Sequence, residues 1–139
     1  MKITQESDYA IKIVLYLANI DEDKIASARE ICDSEDISVK FALKILRRLV
    51  QEKIVKSYRG IKGGFQLKQN PAKLSVKDVI EAIQGPLAIS PELKGIKNKN
   101  KLAGNVVNEF LYDIQEETRK KLTTMTFGKL KDEQNKKKK

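Results

Sequence analysis

The chain of 139 residues contains no histidine and a single cysteine, Cys32. Without an imidazole, neither a Ser-His-Asp triad nor a Cys-His pair can be assembled. Zinc sites built from histidine and cysteine are excluded by the same shortage. One thiol cannot close a disulfide within the chain, which fits a reducing compartment. No apolar run approaches the ~18 residues expected of a membrane span. The opening MKITQESDYA lacks the apolar core of a signal peptide. A cytoplasmic protein is expected. Carboxylates and lysines are present, but spacing singles out no pair of them, so the expectation is a protein that is not an enzyme.

What the chain does hold is charge, unevenly spread. It carries 28 basic and 19 acidic side chains, net +9, with 40% hydrophobic residues, a balance suited to a folded domain. Residues 1–37 have 4 basic and 9 acidic groups, whereas residues 38–68 have 9 basic and 1 acidic. A merely solubilising surface would intersperse the signs. An acidic third beside a basic block points instead to one polyanion-binding region.

Helical spacing of Ala10, Ile13, Val14 and Leu17 predicts a helix from Asp8 to Asn19. Ser27-Ala28-Arg29-Glu30 has the form of a capping box and opens a short helix burying Ile31 and Cys32. Ser38 then caps a third helix reaching about Lys53, whose apolar stripe is Ala42, Ile45, Leu46, Leu49 and Val50. Its opposite face presents Lys40, Lys44, Arg47, Arg48 and Gln51. Ile54 to Tyr58 and Phe65 to Lys68 read as short strands around the loop RGIKGGF, Arg59 to Phe65. Ser75 caps a fourth helix that stops at Gly85-Pro86, and Leu87 to Gly104 reads as irregular or mobile. A long helix follows from Asn105 to Leu122, a short turn from Thr126, and a disordered basic tail.

Three helices and a two-stranded ribbon make a winged helix-turn-helix, so the fold class expected is mainly α with a small β-wing. The third helix of such a unit enters the major groove of DNA. Ser38, Val39, Lys40, Phe41 and Lys44 lie at its start, where base edges are met, and Arg47 and Arg48 are placed to contact the backbone. The wing would contribute Tyr58, Arg59, Gly60, Lys62, Gly63 and Gly64. Its glycines would keep side chains from blocking approach to DNA, and Arg59 could enter a narrow minor groove. Gly60-Ile61-Lys62-Gly63 also fits the GXXG clamp of RNA-binding KH domains, although there it joins two helices. An RNA-binding module, or an adaptor whose basic face holds an acidic protein, are therefore the rival readings.

The combination of Met1 to Thr4, Asp8-Tyr9-Ala10, Leu17-Ala18, Ile37-Ser38, Arg59 to Leu67, Asp78 to Leu87 and the Leu122 to Leu130 stretch resembles the Rrf2 family of bacterial transcription regulators. The resemblance spans nearly the whole chain. It implies a homodimer formed by the long C-terminal helix, which fits the side bearing Val107, Phe110, Leu111, Ile114 and Thr118. It also implies sensing by the segment after Gly85-Pro86-Leu87, where many members hold an iron–sulfur cluster on three cysteines. Ala88 to Gly104 contains none, so no cofactor and no metal site are expected. Asp8 resembles an extra cluster ligand of one branch, but without thiolates a helix cap or charge pair is expected there. Cys32 is expected to be packing, with a redox role as the minor alternative. Leu43 stands where relatives often have a polar base-contacting residue.

The expectation is a homodimeric repressor of double-stranded DNA without a cluster. Its parts would be residues 1–86 for DNA binding, 87–104 irregular, 105–130 for dimerisation, and 131–139 as tail.

Overall fold

A computed structural model describes residues 1–138. Helix α1 (Gln5–Asn19) starts a turn earlier than its apolar spacing suggests, because the Thr4 hydroxyl accepts the Ser7 N–H. Asp8 is thus inside the helix, not its cap, and pairs with Lys12 one turn on at 2.8 Å. Ser27 caps α2 (Ala28–Glu35) by accepting the Glu30 N–H, while the Glu30 carboxylate lies 3.9 Å from Lys24 Nζ. Asp36, at φ 53°, ends α2 in the left-handed conformation that aspartate tolerates better than most residues. Ser38 caps α3 (Val39–Gln51) by accepting the Phe41 N–H.

Strands β1 (Val55–Tyr58) and β2 (Gly64–Leu67) pair antiparallel, with Val55 opposite Leu67 and Tyr58 opposite Gly64. Helix α4 (Val76–Gln84) has the full reciprocal cap: Ser75 accepts the Asp78 N–H, and Asp78 accepts the Ser75 N–H. The core collects Ile13, Val14 and Leu17 of α1, Ile31 of α2, Ile45, Leu46 and Leu49 of α3, and Val79 and Ile80 of α4. These are the stripes that periodicity marks, and burying them together fixes α1 to α4 as one unit. Two more helices, α5 (Val106–Thr124) and α6 (Phe127–Lys137), complete the mainly α architecture.

The end of the chain departs from expectation. In place of a short turn and a disordered tail from residue 131, α6 runs on to Lys137; Lys139 lies outside the described residues. Three contacts explain it. Phe127 is fully buried, its N–H donates to the Leu74 carbonyl at 2.9 Å, and the Val76 N–H donates to Met125 at 2.9 Å. The Asn19 amide of α1 donates to Gln134 further along α6. Lys136 and Lys137 then fall in the last turn, where the helix dipole favours cations.

Residues 87–104 are irregular, as expected, but anchored. Two single-turn 3₁₀ helices, Pro91–Leu93 and Lys99–Leu102, bury Leu93 and Leu102. Gln115, fully buried in α5, accepts the Ile89 N–H at 2.9 Å and donates to the Leu93 carbonyl at 3.3 Å.

Because Phe127 is the largest side chain of the core's C-terminal edge, Phe127→Ala should lower stability by about 3–5 kcal/mol. Urea denaturation followed by far-UV circular dichroism measures this; a loss below about 1 kcal/mol would mean α6 is not seated as described.

Candidate nucleic-acid interface

Helix α3 has two unlike sides. Ala42, Ile45, Leu46 and Leu49 are buried, and a 3.6-residue repeat puts Lys40, Lys44, Arg47 and Gln51 on the opposite side. All four are exposed. Val39 is exposed in the first helical turn, whereas Phe41 packs edge-on against Tyr9 of α1 with ring centroids 5.4 Å apart. Phe41 is thus spent on seating α3 against α1. Leu43 is half-buried between the two sides.

The cations differ in what they already hold. Lys44 Nζ lies 2.9 Å from the Glu6 carboxylate of α1, in an exposed pair of the kind worth ~0–1 kcal/mol. Arg48 is turned sideways: its Nε donates to the Ala82 carbonyl of α4 at 2.9 Å, and its guanidinium lies 3.3 Å from Glu52. It thereby ties α3 to α4, while its side chain stays 50% exposed. Lys40 and Arg47 have no acidic partner among the described residues.

The ribbon after α3 shows why RGIKGGF needs its glycines. A Cβ on Gly63 would sit 2.2 Å from the Tyr58 carbonyl oxygen, inside the hairpin itself. One on Gly64, at φ +153°, would sit 2.3 Å from the Ala26 oxygen. That approach is forced by a β-bridge in which Phe65 N–H donates to Ala26 at 2.7 Å and Ala26 N–H to Phe65 at 2.9 Å. Gly63 and Gly64 thus have a reason within the fold itself: they close and dock the wing. Only around Gly60, at φ +100°, is the space open.

Arg59 and Lys62 are exposed at the tip and lack an acidic partner among the described residues. Sequence reasoning missed Gln66. Its amide donates to the Glu22 carbonyl at 2.7 Å and its oxygen accepts the Tyr58 hydroxyl at 3.0 Å. This braces the wing against the α1–α2 connection and spends the Tyr58 hydroxyl on the wing itself. No sequence signal links residues 22 and 66; only the fold does.

The hairpin also decides the GXXG question of placement, because the motif joins two strands rather than two helices.

The profile of Rrf2, described as an iron-dependent transcriptional regulator, matches residues 3–133. The chain belongs to the Rrf2 family. Among Rrf2-like relatives, the Synechocystis protein slr0846, named for an HTH-type transcriptional regulator, is 34% identical over 92 residues, 66% of this chain and 63% of that protein. The NsrR regulator of Bacillus licheniformis is 26% identical over 98 residues, 70% of this chain and 68% of NsrR. The matched stretch spans only 55% of the length of the mycobacterial relative Rv1287. The structure of CymR, the global cysteine regulator of B. subtilis, superposes with TM-score 0.78 at 22% identity, covering 95% of this chain and 97% of CymR. T. potens IscR gives TM-score 0.72 at 21% identity, covering 95% of this chain and 88% of IscR. These two establish the fold.

The Rrf2 description implies iron, but the residues of this chain do not suit it. No cysteine or histidine occurs in Ala88 to Gly104, and Asp8 is engaged with Lys12. Leu93 and Leu102 of the segment are buried, and the Gln115 amide is bonded to its Ile89 N–H and Leu93 carbonyl. Soft thiolate donors are what an iron–sulfur cluster requires.

Cys32 is buried in α2, 5% exposed. Burial pushes its thiol up from the ordinary cysteine range, and the nearby Asp33 carboxylate adds to the rise. Both effects disfavour the nucleophilic thiolate. Iodoacetamide at neutral pH should therefore label Cys32 at least about tenfold more slowly in the folded protein than in urea. Equal rates, read by intact mass, would restore a redox role.

Proposed function

We propose that this Rrf2 protein is a homodimeric, sequence-specific regulator of transcription that binds double-stranded DNA and represses without an iron–sulfur cluster. The observation that carries the reading is the division of labour in residues 38–68. One side of α3 is wholly apolar and buried, while Lys40, Lys44 and Arg47 on the other side and Arg59 and Lys62 on the next hairpin stay exposed. In this reading Ser38, Val39, Lys40 and Lys44 meet base edges, and Arg47 holds phosphate. Tyr58, Arg59, Gly60 and Lys62 form the contacting part of the wing, with Arg59 drawn to the negative potential of a narrow minor groove. Phe41, Arg48, Gly63 and Gly64 support this surface from behind. Such a protein acts in the cytoplasm on the chromosome and needs no catalytic group.

The homodimer is supported by α5. Among the described residues, Gln115 is the one buried side chain of this 19-residue helix. Val107 and Phe110 are 65% and 63% exposed, and Leu111, Ile114 and Thr118 continue the stripe at helical spacing. Exposed at Val107 and Phe110 and half-covered at Leu111, Ile114 and Thr118, this apolar side gains stability from a partner. Two α5 helices packed on each other supply it, and set two recognition helices on a pseudo-palindromic site. In this reading repression acts by occlusion of a promoter under the bound dimer.

The first test is fluorescence anisotropy with duplexes that the protein selects from a random pool. Arg59→Ala and Lys40→Ala should each weaken binding about 5- to 100-fold. Unchanged affinity in both would return the basic face to an acidic protein partner, and tighter binding to single-stranded RNA at equal salt would favour the GXXG reading. The second test is sedimentation equilibrium. Phe110→Glu should convert a dimer to a folded monomer, since an unpaired charge in an apolar interface costs several kcal/mol. A dimer that survives this change would place the interface elsewhere.

A further inference from the structure

We propose that Ile61, at the tip of the wing, is itself a DNA-contacting residue, packing against the deoxyribose walls of the minor groove and selecting for groove width. The inference rests on the duplex-binding reading above and adds a contact that charge alone does not supply.

Ile61 is the most exposed large apolar side chain among the described residues, at 106% of its reference area. Its neighbours Arg59, Gly60 and Lys62 are exposed as well. The turn does not need it. Gly63 N–H donates to the Gly60 carbonyl at 3.0 Å, so backbone and glycines alone close the loop. Among the described residues no side chain covers Ile61, and its own side chain is not packed against the hairpin.

Scattered exposed apolar residues are ordinary, but this one sits between two cations. Arg59 and Lys62 draw the tip toward a polyanion, and the first surface met between phosphate rows is sugar carbon and base edge. Minor-groove proteins do bring apolar side chains, Ile among them, into that groove, as wedges between base steps; here the side chain is proposed to rest on the sugar walls. A β-branched side chain has few rotamers to lose on contact. It fits best where the walls are close together, as in A·T tracts.

This contact has a signature that distinguishes it from its neighbours. An apolar contact releases no counterions, whereas each phosphate contact contributes about 0.9 to the slope of log affinity on log salt.

The experiment measures affinity of the full-length protein across a salt series for duplexes it has selected from a random pool. Ile61→Ala should weaken binding about fivefold per engaged wing, from loss of roughly half an isoleucine's burial, with the salt slope unchanged. Ile61→Val should bind nearly as wild type. Reselection with Ile61→Ala should show a relaxed A·T preference at the flanks of the site. Arg59→Ala serves as the control for the wing. If Arg59→Ala weakens binding and Ile61→Ala does not, Ile61 makes no contact and the inference falls while duplex binding stands. A changed salt slope in Ile61→Ala also overturns it, because phosphate contacts would then be what was lost. If the wild type selects no duplex, the duplex-binding reading falls and this one with it. Thermal melting of each variant at the wild-type temperature confirms that the fold is intact.

Discussion

The two backbone hydrogen bonds between Ala26 and Phe65 decide where the wing stands. A two-stranded hairpin of four-residue strands is marginal on its own in water. Bridging β2 to the residue before Ser27 gives it a third backbone partner and fastens it to the start of α2. The half-buried Phe65 ring packs against the core at the same point, and Gln66 adds a second tether to Glu22. The tip cations are consequently held in advance of any encounter, which lowers the ordering cost of binding. Gly64 is the residue that permits this, since any side chain there would collide with the Ala26 carbonyl.

Much of this organisation is legible in the residues. The Ser27, Ser38 and Ser75 caps all form, because a hydroxyl before an amphipathic run is a local device that needs no tertiary help. The α3 stripe and the hairpin follow from periodicity and from glycines between β-prone runs. What was illegible is what depends on distant partners. Arg48 looks like any other cation of α3 until α4 brings the Ala82 carbonyl to it. Gly63 and Gly64 look alike in sequence, yet one serves the hairpin and the other its docking. The lysine-rich end looks disordered because its composition is polar, and only burial of Phe127 against Leu74 shows why a helix persists there.

The C-terminal half carries a different kind of adaptation. Where many relatives are expected to gather thiolates, this chain has a segment pinned by one buried amide. Both polar ends of Gln115 are satisfied, which is the condition under which a buried amide adds order rather than cost. The two leucines of the 3₁₀ turns give the segment a buried apolar underside. The segment is therefore a piece of framework, and α5 can present its apolar side without a loop in contention for it.

The splice between α5 and α6 has a mechanical meaning. Val76 and Phe127 cross-link Leu74–Val76 to Met125–Phe127 through backbone hydrogen bonds, so the long helix is bolted to the root of α4 at its far end. There is no slack hinge at this joint to absorb a twist. In the proposed dimer, a change in the angle at which two such helices cross would be passed through this joint to the α1–α4 unit, and so to the distance between the two basic faces.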